Sequence, residues 1–259
     1  MNNNLGNHWL LLRGLARESA HWGPFIATLK KTFPDATIST LDLPGTGDFH
    51  KNSSPMTITA ITDEVRQQAQ RKGYLNQPVT LLAVSLGAMV GWEWMRHYPN
   101  DISGASLINT SFANLSPFYH RLRWQRYSDL LALIMTQDTY RREAKILKLV
   151  SNKQPLSKQI SREWTAIQND RPISLKNSLR QIIAAANYRP NDIKPQQPIL
   201  LLNGNGDRLV SPLCSESLHN KWALELRSHP WAGHDLTLDD GEWVALQLSQ
   251  WIAKKSSLS

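Results

Sequence analysis

Three residues of this 259-residue chain have the types that together support nucleophilic chemistry at an acyl carbon: Ser85, Asp207 and His234. A serine hydroxyl is a weak nucleophile until a base takes its proton, and the base works best when a carboxylate orients its ring. Ser85 ends the apolar run Val79-Thr80-Leu81-Leu82-Ala83-Val84, and a helix-forming run, Leu86-Gly87-Ala88-Met89-Val90, begins directly after it. A strand that turns into a helix at a serine forces that residue into a strained conformation. Small neighbours such as Ala83 and Gly87 let the chain pass so tightly. The hydroxyl then stands at the C-terminal edge of a sheet, with a helix N-terminus behind it to favour developing negative charge. A buried strand followed by a helix with a serine N-cap would show the same pattern.

Asp207 lies in Asn203-Gly204-Asn205-Gly206-Asp207, a glycine-rich loop after the apolar run Pro198–Leu202. Alone, it reads more readily as a turn aspartate that satisfies nearby backbone N–H groups. His234 lies in Trp231-Ala232-Gly233-His234-Asp235, after the last strand-like run, and alone it could be structural or merely exposed. Their coincidence favours chemistry. Serine, acid and histidine each follow a strand-like run, in that order, and in a doubly wound sheet the C-terminal strand ends share one edge, where the crevice forms. His229 and Asp235 are the nearest competitors. His229 falls within or at the end of a strand, and Asp235 adjoins the histidine too closely to reach its ring in the required geometry.

The elements that must position these groups alternate. Strand-like runs at His8–Arg13, Ala36–Leu43, Val79–Val84, Ala105–Asn109, Pro198–Asn203 and Ala223–His229 are separated by helical patterns, including Arg17–Phe33, Thr57–Lys72, Pro212–Trp222 and Asp239–Lys254. Such alternation implies a parallel sheet with right-handed crossovers. From Phe112 to about Pro195 strand-like runs vanish, and Leu130–Met135, Ile146–Val150 and Leu179–Ala186 look helical. The expected organisation is therefore a core of residues 1–111 and 196–259 with a helical insertion at 112–195.

The elbow at Ser85, with Ala83 in place of the first glycine of G-x-S-x-G, resembles the nucleophile elbow of the α/β-hydrolase family. With the acid and histidine loops and the turn Asp42-Leu43-Pro44-Gly45-Thr46-Gly47, the resemblance spans nearly the whole chain. It is closest to the esterase-type branch that carries a helical cap, and loosely similar to pimeloyl-carrier-protein methyl esterases. The resemblance implies a mostly parallel doubly wound sheet, here of about six strands. Residues 1–7 are too few for the antiparallel hairpin that usually opens this fold, which leaves the Ala36–Leu43 strand on the open edge. It implies Ser85, Asp207 and His234 as a triad that cleaves an ester or thioester through an acyl-enzyme. Leu86 N–H, at the helix start, is one expected oxyanion donor. Arg13-Gly14-Leu15 resembles the family's His-Gly-x segment and makes Leu15 N–H the second, with Arg13 departing from the usual histidine as either a substrate contact or a residue packed against the loop. The rival is a noncatalytic relative that binds a small molecule or partner under the cap.

Charge adds a further expectation. The chain carries a formal net charge of +8, and residues 112–195 hold 15 Lys and Arg against 6 Asp and Glu. The whole excess thus sits in the insertion. A positive rim there would steer an anionic substrate, such as a carrier-linked acyl group or a coenzyme A thioester, with Arg121, Arg123 and Arg126 as candidate contacts. No recognised nucleic-acid motif accompanies the charge. The single cysteine, Cys214, excludes an internal disulfide framework and a cysteine-rich metal site. Neither a complete dinucleotide fingerprint nor a phosphate loop is present, so no cofactor or metal is expected. The polar N-terminus and the lack of any spanning apolar run suggest a soluble, cytoplasmic protein without stable membrane insertion.

Overall fold

A computed structural model describes residues 4–153 and 157–257. Six strands form one sheet: β1 (His8–Leu12), β2 (Thr37–Leu41), β3 (Val79–Val84), β4 (Ile102–Ile108), β5 (Ile199–Gly204) and β6 (Glu225–His229). Their order is β2-β1-β3-β4-β5-β6, and every pairing is parallel. The expected Ala36–Leu43 strand is β2, and it lies at one edge. The register sets Leu12 opposite both Leu41 and Ala83, so the C-terminal ends of three strands finish together. β6 forms the other edge and carries Glu225 and Arg227, charges that discourage pairing with another sheet.

Both sheet faces are covered, which explains the unbroken apolar runs. Successive side chains alternate: Leu10 and Leu12 enter one core with Leu81, Trp92 and Phe112, whereas Trp9 and Leu11 enter the other with Leu29, Leu248 and Trp251. The first face is covered by α2 (Ile58–Arg71), α3 (Leu86–His97) and α9 (Leu213–Trp222), the second by α1 (Phe25–Thr32) and α11 (Gly241–Ser256). Each fully buried leucine among them contributes roughly 1.5–3 kcal/mol.

The helix expected over Arg17–Phe33 is two pieces, a 3-10 turn at Ser19–Trp22 and then α1. Gly23, at φ +49°, and Pro24 break it. β4 begins three residues before the expected start and ends at Ile108, because Asn109 turns away at φ +48°. Between β4 and β5 the described residues form α4 (Phe118–Arg121), a 3-10 turn (Trp124–Arg126), α5 (Tyr127–Met135), α6 (Thr139–Val150), α7 (Lys158–Asp170) and α8 (Leu175–Asn187). The sequence reading missed α4 and α7. In α7 the buried residues are Ser161, Trp164 and Gln168, a mostly polar stripe that hydrophobic periodicity does not register. A short helix, α10 (Leu236–Asp239), follows the histidine loop. Among the described residues no helix is long and apolar enough to cross a membrane.

Candidate active site

Ser85 is the N-cap of α3 and has φ +55° and ψ −114°, a conformation side chains other than glycine rarely adopt. The sheet holds it there: Ser85 N–H donates to Ile108 O at 2.8 Å, and Thr110 Oγ1 donates to Ser85 O at 3.1 Å. Glycine is required at Gly87 and fits tightly at Gly14. A Cβ on Gly87 would lie 2.5 Å from Arg13 O and 2.8 Å from Leu12 O, and one on Gly14 would lie 3.1 Å from Ser85 Cβ. The loop after β1 is thus pressed directly onto the head of α3, and Leu15 and Leu86 both line the cavity beside Ser85.

Asp207 is buried in the loop after β5. Its Oδ1 accepts from Leu209 N–H at 2.8 Å and Val210 N–H at 2.9 Å, and its Oδ2 faces His234 Nδ1 at 2.7 Å. The carboxylate is therefore both the turn former and the partner of the ring. Gly204 and Gly206 let the acid loop run against the histidine loop; Cβ atoms there would fall 2.2 Å from Ala232 O and 2.1 Å from Trp231 O. Burial, the largest influence on His234, disfavours its charged form, but the nearby carboxylates of Asp207 and Asp235 outweigh it and raise the ring's pKa above the ordinary value.

Both competitors have other partners. His229, the last residue of β6, faces Asp240 Oδ2 at 3.2 Å through Nε2. Asp235 forms a buried two-pronged ion pair with Arg13, which also contacts Thr237 Oγ1 at 3.4 Å and stacks 4.8 Å over Trp22. Burial would raise the Asp235 pKa, yet Arg13 beside it holds the carboxyl below the usual range. Arg13 lines the cavity, but this ion pair accounts for its place where the family resemblance implies a histidine.

The remaining arginine candidates are also engaged by the protein. Arg121 lines the cavity and caps the end of α8, donating to the carbonyls of Ala185 and Ala186 and to Ser111 Oγ. Arg123 donates to Asp207 O at 2.9 Å, and Arg126 pairs with Asp129 at 3.2 Å. Neither Arg123 nor Arg126 is among the residues that line the cavity.

Two positioning residues escaped the sequence reading. Asn109 sits where β4 ends. Its Nδ2 donates to Gly233 O and His234 O, and its Oδ1 accepts from Gly204 N–H at 3.1 Å, so one side chain fixes the acid and histidine loops together. Asp239 accepts from Gly233 N–H at 2.6 Å and from Ser151 Oγ and Asn152 N–H, tying the histidine loop to the insertion. For Asn109 the one sequence signal is an asparagine just past a strand end; Asp239, at the end of α10, carries none.

The cavity over Ser85 has a volume of about 480 Å³. Ser85 and His234 share its floor with Val84, and the insertion supplies a largely apolar roof that includes Leu130, Leu133, Ile146 and Ile182. Among the described residues no cluster of side chains suits a metal ion.

The model of the "Alpha/beta hydrolase family" matches residues 9–247, and the chain belongs to that family. No protein of curated function matches the sequence. Among solved structures, a thermophilic esterase from Thermogutta terrifontis superposes with a TM-score of 0.72 at 17% identity, over 96% of this chain and 90% of its own. Cfl2 from Burkholderia cenocepacia superposes with a TM-score of 0.77 at 15% identity, over 95% and 88%. A hydrolase from Pseudomonas aeruginosa gives 0.72 at 17%, over 95% and 89%. At these identities the likeness is one of fold.

Proposed function

We propose that this chain is a serine hydrolase that cleaves an ester or thioester with an apolar acyl group, through an acyl-enzyme. The observation that carries this reading is the juxtaposition at one cavity of Ser85, held at positive φ on a helix N-terminus, with the buried His234–Asp207 pair. His234 takes the hydroxyl proton as Ser85 Oγ attacks the acyl carbon, then returns it to the leaving oxygen or sulfur. Water repeats the sequence on the acyl-enzyme and regenerates the serine. Asp207 orients the ring and stabilises the imidazolium. Leu86 N–H, the first amide of α3 with no intrahelical acceptor, and Leu15 N–H stabilise the oxyanion. The apolar roof over Ser85 favours an acyl chain over a polar one. Arg121, Arg123 and Arg126 act through structure and local field, since each already donates to the protein itself, to Ala185 and Ala186, to Asp207 and to Asp129 respectively.

A fluorophosphonate probe and an acyl series from acetate to long chain, with oxygen esters and thioesters, test the reading. Wild type should label at Ser85. Ser85→Ala should lose labelling and several orders of magnitude in turnover without losing stability, because one oxygen is removed and the elbow is kept. A noncatalytic binding protein would show neither labelling nor turnover. Near-wild-type turnover by Ser85→Ala would refute the mechanism.

A further inference from the structure

Helix α5 departs from the ordinary surface helix, which turns an apolar stripe inward and polar residues outward. None of its residues is buried, although Leu130–Met135 is an unbroken apolar run. Tyr127, Leu130 and Leu133 face the cavity, while Leu131, Ile134 and Met135 are 62%, 56% and 74% exposed. Phe118 and Trp124, just before α5, are 71% and 63% exposed. A contiguous apolar surface of this kind marks an interaction site. The cavity also opens onto it, because Phe118, Tyr127 and Ile182 both line the cavity and are exposed.

The surroundings of this patch are cationic. Residues 118–148 contain seven Arg and Lys and three Asp and Glu. The three acids are satisfied within the protein: Asp129 by Arg126, Glu143 by Arg17, and Asp138 as the cap of α6 through Arg141 N–H. Arg141, Lys145 and Lys148 on α6 remain exposed. Bare aliphatic side chains, aromatic Phe, Tyr and Trp around them, and basic residues beyond form the composition that seats a helix at the boundary of headgroups and acyl chains.

We infer that the face formed by α4, α5 and the exposed side of α6 docks on an anionic lipid surface, so that an acyl chain passes from the lipid into the cavity above Ser85 without crossing water. The catalytic half of this statement rests on the hydrolase reading; the docking half does not. An acidic protein partner would use the basic residues but leave Leu131, Ile134 and Met135 unexplained.

The test uses the full chain carrying Ser85→Ala, so that docking is separated from hydrolysis. Flotation is compared on vesicles of phosphatidylcholine alone and vesicles enriched in phosphatidylglycerol, across a salt series. Binding should be confined to the anionic vesicles, weaken as salt rises, and fall about tenfold or more when Leu131, Ile134 and Met135 are changed to serine. With Ser85 intact, the same triple variant should keep wild-type turnover of a short water-soluble ester and an unchanged melting temperature, since none of the three lines the cavity. Failure of wild type to bind anionic vesicles, equal binding to both vesicle types, or binding undiminished by the triple variant would overturn the inference. So would a lipid-free dimer abolished by that variant, or binding of an acidic carrier protein without vesicle binding. Vesicle binding by a protein that cleaves no ester would uphold docking and remove only the hydrolase reading.

Discussion

His234 holds its proton more tightly than a free imidazole, because Asp207 and Asp235 outweigh the effect of burial. A general base must be neutral, so kcat/KM should rise with pH through this raised pKa and level off above it. Asp207→Asn should move that acid limb to lower pH and depress the plateau by about 10⁴-fold, since the amide neither stabilises the imidazolium nor selects the right tautomer. A pH profile of both proteins on one ester checks this; an unshifted limb would remove Asp207 from its role. Arg13 illustrates how one side chain acquires its function. The sequence marks it as a departure from the family pattern, while its meaning depends on Asp235, 222 residues further on. No local pattern connects the two.

At the scale of elements, the elbow is built by close approach rather than by attraction. Gly87 is the second residue of α3, and glycine ordinarily weakens a helix by roughly 0.5–1 kcal/mol relative to alanine. Here the backbone of the β1 loop occupies the space an added Cβ would need, with Arg13 O only 2.5 Å away. Gly87→Ala should therefore destabilise despite its better helix propensity, and it should displace the β1 loop that carries Leu15. A displacement of about 1 Å in such a loop can cost about 10²-fold in rate. Thermal melting together with kcat separates the two effects, and a variant as active and stable as wild type would contradict the packing described. Helix α5 shows the opposite design. It is held on one side only and leaves its apolar residues open, as a docking element must.

Core and insertion are joined across the whole molecule by buried polar contacts. Arg17 pairs with Glu143 on α6 at 2.7 Å, both buried, and Gln181 on α8 accepts from Ala16 N–H and donates to Pro44 O. Glu143→Ala leaves the Arg17 guanidinium buried without its carboxylate and should cost about 3–5 kcal/mol, whereas Arg17→Met with Glu143→Leu should recover much of that loss. Denaturant unfolding of the single and double variants decides, and equal stability of all three proteins would show that this joint carries no load. Sequence alone determined the six-stranded parallel sheet, the edge position of β2, and the candidate serine, acid and histidine at three strand ends. These are legible because apolar runs, glycines and strand–helix alternation are local in the chain, and parallel topology then carries the strand ends to one edge. Sequence did not reveal α7, whose buried stripe is largely polar, or the roles of Asn109, Asp239 and Arg13. Those depend on hydrogen bonds and ion pairs between residues far apart in the chain, and only tertiary structure could decide which polar groups meet once water is excluded.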